Sequence, residues 1–179
     1  MEFCELIEAR RSIRSYESGV TVSTEDIIEM IYAAQQAPSW KNSQTGRYYV
    51  AITPCVVDKI RLECLPDFNS QRTQNAAAFI ICAFKKGFSG FYADGTPTDN
   101  NENAWGAYDL GLQNQNLLLK AMDLGYDTLI MGLRDVEKLR ELFDIPKDEE
   151  VLSVIAVGKK TASVKKPTRN DPKEIVRFL

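Results

Sequence analysis

The sequence predicts one domain of the α/β or α+β class, on three observations. Segments of helical and of strand-like hydrophobic patterning alternate along the chain. A length of 179 residues, 44% hydrophobic and 26% charged, suits a single core spanning residues 1–179 with no long linker. No apolar run approaches the ~20 residues of a membrane span, and the N-terminus, Met1-Glu2-Phe3-Cys4-Glu5, is acidic rather than basic. A soluble, cytoplasmic chain with no membrane partner is expected.

Taken in order, residues 2–11 are predicted helical, because Phe3, Leu6, Ile7 and Arg10 fall at helical spacing and Arg10 and Arg11 place positive charge at the C-terminal end. Residues 12–22 read as loop or extended chain around Gly19. Ser23-x-x-Asp26 resembles a capping box opening a helix through Ala37, with Ile27, Ile31 and Ala34 on one face and Pro38 as its stop. Residues 47–53, with Tyr48, Tyr49, Val50 and Ile52, read as a strand, and residues 57–65 as a helix. The apolar run 76–84 suits a strand buried on both faces. Residues 85–103 shift to Gly, Asp, Asn, Thr and Pro around Phe88, Phe91 and Tyr92, which predicts a long surface excursion: either a packed loop or a lid. Residues 104–124, with Leu110, Leu117, Leu118, Ala121 and Leu124 before Gly125, form the longest helical candidate. A strand at 128–131, an amphipathic helix at 135–143 before Pro146 and a buried strand at 151–157 follow. After Gly158 the chain is basic, and it closes on Ile175, Val176, Phe178 and Leu179, an apolar end that needs a docking surface such as a dimer partner.

Composition narrows the chemistry. Against 22 basic residues stand 25 acidic ones, a formal net charge of −3, which argues against a surface built for nucleic acid or anionic lipid. Histidine is absent, so Ser-His-Asp and Cys-His catalysis, His-ligated zinc and a histidine proton shuttle are excluded. No metal site is expected. Cys4, Cys55, Cys64 and Cys82 form no CxxC pair and are expected to be buried free thiols. Neither GxGxxG nor GxxxxGK[ST] occurs, so a bound nucleotide would need another cradle.

Two constellations remain. In Arg10-Arg11-Ser12-Ile13-Arg14, residues 10, 12 and 14 share a face once the chain is extended, presenting two guanidiniums and a hydroxyl to an anion such as phosphate; the alternative is a solvated basic surface. In Ala37-Pro38-Ser39-Trp40-Lys41-Asn42-Ser43-Gln44, neutral donors and acceptors cluster between a helix and a strand; the alternative is a plain turn.

Together these resemble the FMN-dependent nitroreductase family over nearly the whole chain. Arg-Arg-Ser-Ile-Arg is similar to the family's first flavin motif, and Ala-Pro-Ser with Asn42 and Gln44 to its second. The strand 76–84, the helix carrying Asp109-x-Gly111-x-Gln113-x-x-Asn116 with Leu124-Gly125 behind it, and Lys166-Pro167-Thr168-Arg169 follow in the family's order. The resemblance implies an α+β fold with a central, mainly antiparallel sheet flanked by helices, in an interlocked homodimer with two FMN molecules at the interface. By the same carry-over, Arg10, Ser12 and Arg169 belong to the phosphate or ribityl chain and Arg14 to the pyrimidine edge, with Arg11 a further cofactor-binding residue of the same motif. Pro38, Ser39 and Asn42 would cover the cofactor from the other chain. Asn69, with Arg72 close behind, would bond the pyrimidine, and Met131 and Gly132 would offer backbone N–H groups to N5 and O4. No side chain is assigned as a catalytic acid.

The implied activity is hydride transfer from NAD(P)H through flavin N5 to a nitroaromatic, quinone or similar electrophile by a ping-pong route. The alternatives are a different flavin reaction, such as dehalogenation or dehydrogenation, and a non-catalytic flavin-binding module. Trp40 and Lys41, where the family commonly has small residues, and Thr45-Gly46, in place of a frequent Pro-Trp pair, depart from the pattern at the substrate side. Met131 replaces an acidic residue that some members carry before the glycine.

Overall fold

A computed structural model describes residues 2–179. Four strands form one antiparallel sheet in the order β1-β2-β4-β3: β1 Gly46–Ala51, β2 Ala78–Lys85, β3 Asp127–Met131 and β4 Glu149–Gly158. Around it lie α1 (Phe3–Ala9), α2 (Thr24–Gln35), α3 (Pro54–Lys59), α4 (Asp67–Arg72), α5 (Ala104–Asp123), α6 (Val136–Phe143) and α7 (Pro172–Ile175). The architecture is the α+β class, with helices on both faces.

Strand pleating explains why β2 is apolar throughout. Ala78, Ile80, Cys82 and Phe84 point to one face and join Ile155 and Val157 of β4 against Met30 and Ala34 of α2 and Leu110, Leu117 and Ala121 of α5. Phe79, Ile81 and Ala83 point to the other, with Val154 and Ala156, toward Val57, Ile60 and Leu139. A register shift between Cys82 and Ala83 marks a bulge in the β2–β4 ladder. The two central strands therefore separate two cores, and the chemistry is left to the edges and loops.

Several element ends differ from expectation. The second helix stops at Gln35 instead of Ala37, because the amides of Gln36 and Ala37 bond back only three residues, to the carbonyls of Ala33 and Ala34, and Pro38 disfavours helix in the residue before it. Its start is as expected: Ser23 Oγ accepts from the Asp26 amide at 3.0 Å. β1 ends at Ala51, since Thr53 caps α3 and Pro54 takes its first turn, where a missing N–H costs nothing. That helix runs on into a π-helical turn, Ile60–Cys64, which the hydrophobic spacing did not reveal, and α4 was not foreseen at all. The expectation of buried cysteines is corrected: all four are free, but Cys4 and Cys55 are exposed and only Cys64 and Cys82 are buried.

The segment after α1 runs extended along the outer edge of the sheet. Ser12 pairs with Thr128 of β3 in parallel, the Ile13 amide donates to the Thr128 carbonyl at 2.9 Å, and Tyr16 bridges Lys160. Buried Ile13 points inward, so its neighbours Ser12 and Arg14 point out by alternation; Tyr16, three residues on, is buried as well and breaks the strict period. At the other terminus α7 is a single turn, and Ile175, Phe178 and Leu179 are exposed. Among the described residues no helix is long and apolar enough to cross a membrane, and no group of three or more Cys, Asp or Glu side chains could hold a metal ion.

Candidate functional site

The first motif and the basic C-terminal segment meet in space. Arg10, Arg11, Ser12 and Arg14 line one side of a cleft of about 240 Å³, and Lys165, Pro167 and Arg169 line the other. The sequence folds this way because Arg10 is the residue at which α1 gives way to extended backbone (φ −56°, ψ 128°), and the edge pairing at Ser12 then holds the strand-like course. Lys166, the neighbour of this group, is drawn off into an ion pair with Glu8.

The cleft is positive and lacks a counter-charge. Partial burial lowers the pKa of Arg10 below the ordinary arginine value, and the charges of Arg11 and Arg169 push it further the same way. Among the described residues, Arg10, Arg11, Arg14 and Arg169 form no ion pair with a carboxylate. Their hydrogen bonds go to nearby backbone carbonyls: Arg11 Nη1 to Arg10 O at 2.6 Å, Arg14 Nη1 to Ser12 O at 3.2 Å, and Arg169 Nη1 to Pro167 O at 3.3 Å. The Nε of Arg11 is buried with no acceptor. A buried, unpaired guanidinium N–H beside like charges is costly, and a multivalent oxyanion relieves it.

The polar loop is equally defined. Trp40–Asn42 make a 3₁₀ turn, with Lys41, Asn42 and Gln44 all in the left-handed region at φ 46°, 56° and 49°. Such backbone in non-glycine residues persists only where its surroundings over-determine it. Ser39 Oγ accepts from the Gln44 amide at 3.1 Å, and the Trp40 amide donates to Asp109 of α5 at 3.0 Å. The Trp40 ring packs on Trp105, with centroids 4.8 Å apart. Pro38, Ser39 and Asn42 do not line the basic cleft of their own chain.

Asn69, buried on α4, donates through Nδ2 to the Leu133 carbonyl at 3.3 Å, which ties it to the chain just beyond Met131 and Gly132. Arg72 goes elsewhere: it is exposed and lies over the Phe68 ring at 5.3 Å. Sequence reading missed Arg134, whose Nη1 donates to the Gly132 carbonyl at 2.5 Å and whose Nη2 donates to the Val151 carbonyl. It braces the Gly132 backbone from behind, and its Nε is buried without a partner. A lone arginine two residues past the glycine that follows a strand was the available signal. The segment 85–103 is partly anchored: Ser89 and Gly90 are buried, while Phe88 and Tyr92 are exposed.

Residues 7–159 match the model of the nitroreductase family. An Archaeoglobus fulgidus protein provisionally named NADH dehydrogenase/NAD(P)H nitroreductase is 32% identical over 166 residues, covering 88% of this chain and 86% of its own. The CLA biosynthesis enone reductase of Lactiplantibacillus plantarum is 25% identical, covering 99% and 94%. A crystal structure of a provisionally named nitroreductase from Exiguobacterium sibiricum, in complex with FMN, superposes with a TM-score of 0.87 at 22% identity, covering 100% of this chain and 98% of that one.

Proposed function

The chain belongs to the nitroreductase family, and from that premise we propose that it is an FMN-dependent oxidoreductase. It takes reducing equivalents from NAD(P)H and delivers them to a nitroaromatic, a quinone or a similar conjugated electrophile. A single domain formed by residues 1–179 carries this activity. Relatives named as an NAD(P)H nitroreductase and an enone reductase support donor and acceptor class, and the FMN-bound neighbour of the same fold supports the cofactor.

The observation that carries the reading is the uncompensated guanidinium cluster. The FMN phosphate is close to a dianion at neutral pH, and the orphaned Arg11 Nε, with Arg10, Ser12 and Arg169 around it, fits such a group. Bound FMN supplies two-electron chemistry at N5, in which donor and acceptor use the same face in turn. The chain's own residues bind, orient and bias. Arg10, Arg11, Ser12 and Arg169 hold the phosphate and ribityl end, and Arg14 stands at the pyrimidine edge, where a fixed cation favours the reduced anion. Asn69 would bond the pyrimidine, and the backbone at Met131 and Gly132, braced by Arg134, would offer N–H groups at the reactive edge, while Arg72, turned over the Phe68 ring, is left out of that set.

Pro38, Ser39 and Asn42 cover the cofactor of a second copy, so the working unit is a homodimer. Their absence from the basic cleft of their own chain and the exposed apolar tail at Ile175, Phe178 and Leu179 support that arrangement. The test is a spectrum of the purified protein under argon, before and after each nicotinamide. Flavin bands that bleach on NADH or NADPH and return with an added quinone are expected; a colourless protein that ignores added FMN overturns the reading. The R10A/R14A variant should lose FMN and turnover together.

A further inference from the structure

We propose that Asp109 is a positioning residue, holding the loop of Pro38, Ser39 and Asn42 in the conformation that covers the flavin. The inference rests on the cofactor reading above and goes beyond it, because Asp109 belongs to none of the flavin-contacting groups. It sits in α5, 2% exposed, and among the described residues it pairs with no cation. A carboxylate buried without a cation is retained only where hydrogen-bond donors converge on it. Here two do, on one oxygen: the Trp40 amide at 3.0 Å and the Ser89 hydroxyl at 2.7 Å.

That carboxylate fixes the direction of a proton chain. It can only accept, so Ser89 spends its single proton on Asp109. The 2.7 Å contact between Ser43 Oγ and Ser89 Oγ must then run from Ser43 to Ser89, and Thr45, at 3.4 Å, can approach Ser89 only as a donor. Asp109 thus orders both ends of the loop, at Trp40 and at Ser43, with the three left-handed residues lying between and just beyond them. It ties the same loop to the segment of residues 85–103 through Ser89. Backbone this strained relaxes when its clamps are removed, and the loop would then leave the geometry that covers the cofactor.

The test uses the full-length protein with D109L, D109N and S89A. Asparagine can present its carbonyl oxygen to both donors, whereas leucine accepts from neither. Two readouts are taken: FMN affinity by flavin fluorescence, and deuterium exchange of the peptide spanning residues 37–45 in the apo protein. Expected for D109L is an FMN dissociation constant raised about tenfold to a hundredfold with faster exchange in that peptide; D109N should restore both to within about threefold of wild type. S89A should give a smaller rise, and adding it to D109L should cost little more, since both act on one network. A folded D109L with wild-type affinity and wild-type exchange overturns the proposal, as does a D109N no better than D109L. If D109L does not fold, S89A and D109N decide: S89A with unchanged exchange overturns the proposal. A wild-type protein that takes up no FMN overturns the cofactor reading itself, and this inference with it.

Discussion

Removing the Arg10 guanidinium should separate phosphate recognition from every other contact the cofactor makes. Four guanidiniums face a cleft of about 240 Å³ with no carboxylate among its lining residues. Each phosphate contact from such a group is a charge-assisted hydrogen bond, for which a net value of about 1.5–3 kcal/mol is typical. R10A should therefore weaken FMN by about 10- to 150-fold. Riboflavin carries the same ring and ribityl chain without the phosphate, so its affinity should change by less than about threefold, the remainder expected for lost packing. The apo protein should respond with the opposite sign. Burial and the charges of Arg11 and Arg169 all disfavour the charged form of Arg10 in the folded state, so its removal relieves repulsion, and the apo melting temperature should hold or rise slightly. The assay is a fluorescence titration of both flavins against wild type and R10A at constant ionic strength, with thermal melts of the apo proteins alongside. Equal losses of FMN and riboflavin affinity would refute the reasoning. So would an apo melting temperature that falls by several degrees, since that would make Arg10 a structural residue.

Three further outcomes follow from the packing. G158A should destabilise by about 1–3 kcal/mol in urea unfolding, because a Cβ there would sit 2.6 Å from Cδ1 of buried Tyr16 and push the segment that bears Ser12 and Arg14. Alkali should unfold the chain above pH 10. Burial, aided by the 2.5 Å bond to Glu149, pushes Tyr49 from an ordinary value of 10.0 up to about 12, and burial raises Tyr16 and Tyr48 in the same direction. The folded state keeps these protons more tightly than the unfolded state does, so their stabilisation is intact below pH 10 and disappears as pH climbs through about 12. Circular dichroism against pH, with Y49F shifting part of the transition, checks this. Finally, Cys4 and Cys55 should react with a thiol reagent in the native protein while Cys64 and Cys82 wait for denaturant; burial holds the Cys82 thiol up at about 12.

What could be read in advance followed local rules. The doubly buried β2 is apparent from an apolar run too short for a helix, and the cap at Ser23 from its spacing to Asp26. The two arginine stretches were visible as charge, but nothing local said that Arg10 and Arg169 would share a cleft; that required the edge pairing of Ser12 with Thr128. The π-helical turn at Ile60–Cys64 and the short α4 escaped because their stability comes from packing rather than from periodicity. The left-handed residues Lys41, Asn42 and Gln44 could not be foreseen either, since the clamp that makes them tolerable comes from Asp109, far along the chain. A polar residue beside Leu110 on the inward face of a long helix was the only hint.

The two walls of the cleft flank the sheet in sequence, Arg10 to Arg14 before its first strand and Lys165 to Arg169 after its last. They meet because the extended segment at Ser12 is laid against Thr128 on the outer edge of β3. Cutting away residues 164–179 would strip one wall and leave every strand in place, so colour and fold become separable readouts of the same polypeptide.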